Sequence, residues 1–352
     1  MDSDSVSVVI ACRNENPRIL NLLENLRAID WQSRSFEVLI ADGMSTDGTR
    51  DILREFAQHN SWCSVVDNPE QIAATGLNRA IRQASGEYII RMDAHTSYEP
   101  EYVGRSIEVL EGSGAWNAGG PQRSKAKGYI QRAIQAGYHS AFASGGARFR
   151  DDRYCGPADT VPYGCWRKRT LLDVGLFDEA LVRNQDDELN LRLRLAGGGI
   201  WQDPSIVSWY TPRASLLGLF QQYSQFGFWR VAVLRKHPST AAWRHYVPGA
   251  AGAGGLILLG LGALGALTGN HLLLTGSLWT LALLAMLYAA LSLIASFQAA
   301  ARYGWDLLPI LPVTFALYQS GYATGFGLGL VYWGLCSPSQ RPIPRIFTAL
   351  TR

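Results

Sequence analysis

No acidic residue occurs between Asp203 and Asp306, and from Tyr246 to Gln340 the only formal charges are Arg302 and Asp306. Helices that are apolar around their whole circumference have no side to offer to water, so this stretch argues against an ordinary soluble core. The segment after the first apolar run, CRNENP, has no glycine. That excludes the dinucleotide fingerprint, whose glycines let the backbone approach a pyrophosphate, and argues against a dehydrogenase. Cysteine is scarce: Cys12, Cys63, Cys155, Cys165 and Cys336 are scattered without paired spacing. They fit reduced thiols better than a zinc module or a disulfide framework. Internal repeats and low-complexity linkers are absent. The opening Met1-Asp2-Ser3-Asp4 is acidic and runs straight into VSVVIA rather than into a signal sequence, so the polar part of the chain is expected in the cytosol.

What is present is unevenly distributed over the 352 residues. Before Arg213 there are 23 Lys plus Arg against 28 Asp plus Glu, a net of −5 that is ordinary for a soluble domain and gives no reason to expect a nucleic-acid partner. Then Arg213, Arg230, Arg235, Lys236 and Arg244 precede the first long apolar run with no acid among them. A cytoplasmic membrane surface selects that pattern. Apolar runs cover roughly Pro248 to Thr268, His271 to Phe297 and Leu307 to Leu335, each near the ~20 residues a membrane span needs. Three crossings would leave Arg341, Arg345 and Arg352 outside, against the positive-inside tendency, so the last run is alternatively a re-entrant hairpin. Gly321, Gly325 and Gly329 make a smooth stripe on that run, suited to close packing by another helix. The expected layout is a domain over 1–212, an amphipathic, basic membrane-interface segment over 213–245, a transmembrane region over 246–340 with about three apolar segments, and a tail over 341–352.

The first 100 residues alternate short β-rich runs with longer amphipathic ones. Val6 to Ala11, Phe36 to Ala41, Cys63 to Val66 and Tyr88 to Met92 read as strands; Pro17 to Ile29, Thr49 to His59 and Ala73 to Ala84 read as helices. This is an α/β pattern, and a ligand crevice is expected at the strand ends. Residues 115–212 read as the second half of the same domain, with a helix starting near Arg183 and a turn at Asp203-Pro204.

Polar residues gather at those strand ends. In RMDAHTSY, Asp93 and His95 are two positions apart; if the strand continues through them, both side chains point to one face and form a pair able to hold one divalent cation. The plainer alternative is a hydrogen-bonded Asp and a solvated His at a turn. VVIACRNE ends the first strand with Arg13 and Glu15, IADGMSTDGT ends the second with Asp42, and VRNQDDELNLRLRLAG carries Asp186, Asp187 and Glu188. Asp42 alone reads equally as a turn residue, and acids at a helix start also answer the helix dipole.

Taken together these clusters resemble the inverting glycosyltransferases of family 2, with their GT-A fold, over about residues 6–212. DAHTSY, VRNQDDELN and QQYSQFGFWR followed by apolar spans resemble its succinoglycan-biosynthesis ExoA type. The resemblance implies a nucleotide-sugar donor, with Ala11, Arg13, Glu15 and Asp42 at its nucleoside and Asp93 on its phosphate side; Asn78 and Arg91, near in sequence, are phosphate-side candidates that read equally as structural residues. It makes Asp93 the first acid of the D-x-D metal motif, with His95 in place of the second. Imidazole suits Mn²⁺, whereas Mg²⁺ prefers oxygen, so either ion remains open. It assigns the general base to Asp186, with Asp187 and Glu188 in support. Gln222, Trp229 and Arg230 are similar to the Q-x-x-R-W element of processive synthases at a different spacing, which marks them as acceptor-side or membrane-interface residues.

The activity so implied is transfer of a hexose, glucose from UDP-glucose, to a polyprenyl-diphosphate-linked saccharide in exopolysaccharide biosynthesis. The enzyme would be a multi-pass protein of a bacterial-type plasma membrane with its catalytic domain in the cytoplasm. Two alternatives stand beside it: a polyprenyl-phosphate hexose synthase, and a non-catalytic membrane scaffold or transporter with a nucleotide-sensing domain.

Overall fold

A computed structural model of the chain describes residues 4–238, 246–335 and 343–349. Trp243, Arg244, Cys336, Arg341 and Arg352 lie outside the described residues. The chain opens with β1 (Val6–Cys12), α1 (Arg18–Ala28), β2 (Phe36–Asp42), α2 (Thr49–His59), β3 (Cys63–Asp67), α3 (Ala73–Gln83) and β4 (Tyr88–Asp93). It continues through β5 (Thr96–Tyr98), α4 (Tyr102–Ser113), β6 (Asn117–Gly119), β7 (Arg123–Ser124), α5 (Tyr129–Tyr138) and α6 (Ala141–Ser144). Then come β8 (Gly156–Pro157), β9 (Cys165–Arg167), α7 (Lys168–Asp173), α8 (Gln185–Leu195), β10 (Ile200–Gln202) and β11 (Ser208–Tyr210). The rest is helical: α9 (Leu216–Lys236), α10 (Val247–Thr268), α11 (His271–Tyr303), α12 (Leu311–Leu335) and α13 (Arg345–Thr348).

These elements form two compact units, and the division is not where the sequence put it. Unit 1 holds Met1–Lys125 and Arg148–Thr211, while unit 2 holds Ala126–Ala147 and Pro212–Arg352. The expected uninterrupted stretch 1–212 is thus broken by a detour through α5 and α6, whose Ala133, Ile134, Ala136 and Ala143 are buried with residues of the later helices.

In unit 1 an eight-stranded sheet runs β3-β2-β1-β4-β9-β6-β10-β8, and a small second sheet runs β5-β11-β7. The first four strands are parallel. A parallel strand covered on both faces must be apolar throughout, which is why VSVVIAC does not alternate with polar residues. Its two faces still serve different cores. Val8, Ile10, Val38, Ile40 and Ile90 pack with Ile19, Leu22, Leu26, Leu53 and Ile107 of α1, α2 and α4. Val9, Leu39, Ala41 and Ile89 pack with Leu77, Ile81, Leu171 and Leu189 of α3, α7 and α8. Because α1 and α2 lie on one face and α3 on the other, the winding reverses between β1 and β4. A crevice opens at the carboxyl ends of the strands at such a reversal.

Unit 2 is built on α9 and α12, which run side by side in parallel. A Cβ placed on Gly321, Gly325 or Gly329 would stand 2.8, 1.8 or 2.9 Å from the carbonyl oxygens of Phe220, Ser224 and Phe228. Gly227 answers from α9, where a Cβ would be 2.2 Å from the Tyr322 carbonyl oxygen. The glycine stripe therefore receives another helix, and that helix is α9. Trp229 is fully enclosed, beside Trp333 and bonded through Nε1 to the Phe347 carbonyl at 2.9 Å. This corrects its expected place at an acceptor or in a headgroup belt: it braces the α13 segment. Gln222 and Arg230 lie half-buried on the same helix.

Helices α10 and α11, with 22 and 33 residues, are long and apolar enough to cross a membrane. They form an antiparallel hairpin through Gly269, whose φ of 70° suits glycine, and Asn270, whose side chain caps α11 at the Leu273 amide. Leu256, Leu267, Leu272, Trp279, Leu283 and Met286 are exposed on them.

Candidate active site

The sheet register lines up polar residues at the strand ends. Cys12 is opposite Asp42, Asp42 opposite Asp67, and Ala11 opposite Asp93. Ala11 is thus the last β1 position beside the acid of β4, and the loop that follows is tied to the loop after β2. The Asn14 amide donates to Ser45 Oγ, the Thr46 amide to Asn14 Oδ1, and the Asn16 amide to Asp47. Asn14 turns with φ at 54°, a left-handed conformation that Asn tolerates better than most residues. Arg13 packs over Gly43, where a Cβ would stand 3.1 Å from the arginine's own.

Asp42 is fully buried. Its carboxylate accepts from the Ser45 amide at 3.1 Å and from Arg50 Nη1 at 3.0 Å, while Arg50 Nη2 reaches Asp67 at 2.6 Å. Arg50 and Asp67 were not singled out in the sequence, although Asp67 ends β3 as Asp42 ends β2. With 63% of its side chain exposed, Asp67 is the carboxylate of this row that faces solvent.

Arg91 ties two of the acids together. Its buried guanidinium donates to Asp93 Oδ1 from Nη2 at 3.0 Å and to Asp186 Oδ1 from Nη1, so two acids 93 residues apart in sequence are joined by one cation. Burial works against the arginine's charge, but Asp186 and Asp93 outweigh it and hold the group protonated. For Asp186 burial dominates and pushes the pKa up, with Arg91 opposing. Some 34% of the Asp186 side chain is still exposed.

Asp93 is held from its own backbone as well, where its amide donates to Tyr98 Oη at 2.6 Å. Tyr98 packs edge-on to Tyr102 and Tyr163, and Tyr163 Oη is 2.9 Å from Thr96 Oγ1. This tyrosine cluster, unforeseen in sequence, supports the turn beneath the acid. The premise that Asp93 and His95 alternate along one strand does not hold: β4 ends at Asp93, Ala94-His95 form a turn, and β5 starts at Thr96. His95 instead lies edge-on to Tyr210, with Nδ1 3.9 Å from Glu15 Oε1. Among the described residues no three His, Cys, Asp or Glu side chains gather into a cage. With 22% of its side chain exposed at the crevice, Asp93 fits the open arrangement in which one or two protein ligands and substrate phosphates share a divalent ion.

The three acids of α8 separate by environment. Glu188 is buried and bonded to Arg192, which also donates to the carbonyls of Val174 and Leu176, so it anchors the helix to the preceding loop. Asn78 braces the same loop, accepting from the Phe177 amide at 2.9 Å and donating to the Phe177 carbonyl and to Glu179 at 2.8 Å. Buried and so engaged, its side-chain amide is committed to that loop. Asp187 remains partly exposed beside Asp186.

A Rossmann-like parallel half-sheet, with a strand-end acid and a second acid brought to it from a later helix, has the architecture of a glycosyltransferase of the GT-A type. The chain belongs to glycosyltransferase family 2: the model of "Glycosyl transferase family 2" matches residues 7–172. Over 250 residues it is 33% identical to the succinoglycan biosynthesis protein ExoA of Rhizobium meliloti, covering 70% of this chain and 76% of that protein. Over 248 residues it is 27% identical to the dolichyl N-acetyl-alpha-D-glucosaminyl phosphate 3-beta-D-2,3-diacetamido-2,3-dideoxy-beta-D-glucuronosyltransferase of Methanococcus voltae, covering 68% and 76%. Among solved structures, a mannosyltransferase of Pyrobaculum calidifontis in complex with GDP-Man and Mn²⁺ superposes with a TM-score of 0.58 at 18% identity, covering 92% of this chain and 86% of that one. The GT-A fold and the role in polysaccharide biosynthesis stand on these likenesses.

Proposed function

We propose that the chain is a membrane-anchored, metal-dependent inverting hexosyltransferase that moves glucose from UDP-glucose to a polyprenyl-diphosphate-linked saccharide in exopolysaccharide assembly. One observation carries the reading: Arg91 joins Asp93, the acid on the phosphate side, to Asp186, the acid able to take a proton. Transfer with inversion needs both at once, a place for the leaving diphosphate and a base on the opposite side of the anomeric carbon. Asp186 accepts the proton of the attacking hydroxyl, and its raised pKa makes it a stronger base than an ordinary aspartate. Asp93, with His95 close by in the following turn, would hold Mn²⁺ or Mg²⁺ together with the diphosphate oxygens. A bound cation acts there as a Lewis acid on the charge that grows as the nucleotide leaves. Asp67 and the Arg13–Glu15 loop would receive the nucleoside, while Asp42 holds the neighbouring loop after β2 through the Ser45 amide.

Helices α10 and α11 would place the enzyme in a bilayer, where lipid-linked acceptors reside, because their exposed leucines have no soluble use. The test is to incubate detergent-solubilised protein with a panel of nucleotide sugars and lipid-linked acceptors. UDP-glucose with a polyprenyl-diphosphate saccharide should give product, and exhaustive chelation should abolish it. Mn²⁺ should then restore transfer at least as well as Mg²⁺. Product from polyprenyl phosphate alone would favour the lipid-phosphate synthase, which needs no base; undiminished transfer after chelation would end the metal assignment.

A further inference from the structure

The helical unit contains three apolar runs, and its internal contacts decide how many of them traverse a bilayer. We infer that α10 and α11 cross as a hairpin, that α12 does not cross, and that the α13 segment stays on the side of the glycosyltransferase unit. This rests on the membrane reading above and specifies its topology.

The near side is set by covalent connection. Unit 2 receives its chain from unit 1 at Lys125 and Thr211, a few residues before α5 and α9 begin. The turn after α11 belongs to that side, because Arg132 of α5 makes two bonds to Asp306, at 2.8 and 2.9 Å, and Tyr129 Oη bonds the Asp306 carbonyl. Asp306 is the only acid of the apolar region, and its partner comes from the detour. The Gly269-Asn270 link, 33 residues before the end of α11, then lies on the far side. At 1.5 Å per residue α11 is about 50 Å long, well beyond the ~30 Å hydrocarbon core, so its last turns stand clear of the lipid. There Ala295, Ala299 and Ala300 are covered by protein. Helix α10 has 22 residues and, starting from the same far-side link, brings its first turn back to the near face after about 33 Å.

That first turn fixes the level of α12. Tyr246 packs edge-on to Phe326 with ring centroids 5.9 Å apart, and a Cβ on Gly249 would meet the Phe326 ring at 2.7 Å. Phe326 is therefore level with the near end of α10, and only nine residues of α12 follow it, through Leu335. They extend about 14 Å, less than half the hydrocarbon core. The same level is passed to α13 through α9. A Cβ on Gly227 would lie 2.8 Å from the Phe326 amide, and neighbouring Phe228 stacks on Phe347 with centroids 4.0 Å apart and planes within 6°. Arg345 is thereby kept on the catalytic side, in agreement with the positive-inside tendency that three crossings would violate.

The experiment uses the full chain with a C-terminal epitope tag in right-side-out and inverted membrane vesicles. Protease should remove the tag only from the vesicles in which the glycosyltransferase unit is also digested. In a chain with its cysteines replaced, Thr268→Cys should react with a membrane-impermeant maleimide only from the opposite side. A tag cleaved from the side opposite the catalytic unit would overturn the inference while leaving membrane insertion intact. Labelling of residue 268 from the catalytic side would overturn it as well. Release of the whole protein by alkaline carbonate would overturn both this inference and the membrane reading.

Discussion

The two units solve the problem of burial in opposite ways. Unit 1 buries charge: Arg91, Asp42 and Glu188 are enclosed, and each is matched by a partner that also positions a loop or helix. Unit 2 buries almost none and brings backbones together instead, with glycines of α12 against carbonyls of α9. A buried ion pair tolerates no loss of a partner, while a glycine contact tolerates no gain of a methyl group. The candidate site belongs to the first kind of interior, and the second serves to hold an apolar surface in a fixed form.

The largest effect should come from Asp186, the acid proposed as the base. Asp186→Asn keeps the size of the side chain but cannot take up a proton, so transfer should fall by about 10²–10⁴-fold with little change in donor affinity. Asp187→Asn should retain most activity, and the reverse pattern would shift the base by one residue. Since only ionised Asp186 is competent and its pKa is raised, the acid limb of the rate profile should lie above the ordinary aspartate range. Stability should run the opposite way, because the folded state favours the neutral acid: this group's stabilising contribution is lost as pH rises through the raised value.

Next is Arg91→Met, which leaves Asp93 and Asp186 facing each other without a cation. A drop of about 1–3 kcal/mol in unfolding free energy is expected, less than for a fully buried pair because both carboxylates keep some water. Lysine at this position should recover part of that stability but little turnover, since it lacks the two-pronged guanidinium. If methionine at 91 is as active as arginine, the acids are not coupled through it.

In unit 2 the contrast can be tested on one helix. Gly325→Ala must displace α9 and should destabilise by about 1–3 kcal/mol. Gly327→Ala meets nothing within 4 Å and should stabilise by up to ~1 kcal/mol through helix propensity. Thermal unfolding in detergent compares the two, and equal shifts would remove the close-packing account. A more local effect belongs to Trp229→Phe, which loses one hydrogen bond to the Phe347 carbonyl, about 1 kcal/mol, and leaves a small cavity where the larger indole stood. Protease sensitivity of the α13 segment would report it.

Where local pattern and tertiary role coincide, the fold was legible in the sequence. The four parallel strands and their helices follow from apolar runs and turn residues, and the glycine period of α12 announced a close neighbour. The helix that carries Asp186 was legible as well. The bridge from Arg91 was not, because strand alternation says which face a side chain takes but not what a helix 90 residues later brings to it. His95 was misplaced for a related reason: period-two reasoning assumed a strand that Ala94 ends. Trp229 read as an interfacial aromatic because composition cannot distinguish a tryptophan facing lipid from one facing another helix. The detour through α5 and α6 left no mark either, since a ten-residue amphipathic helix looks the same whichever core it joins.

That detour has a consequence for the order in which the molecule can be made. Ile134 waits for Tyr318, whose hydroxyl bonds its carbonyl across 184 residues of chain. At about 5–20 residues per second of synthesis, the wait is roughly 10–40 s. Over that interval the rest of unit 1 is completed and α9 and the α10–α11 hairpin emerge, so α5 first meets Leu219, Ala295 and Ala299 and gains the residues of α12 last. A chain cut after Arg213 to release the glycosyltransferase unit should therefore carry an orphaned apolar helix in its middle. Chaperones would find it there, and a soluble fragment would need residues 126–147 replaced by a short linker.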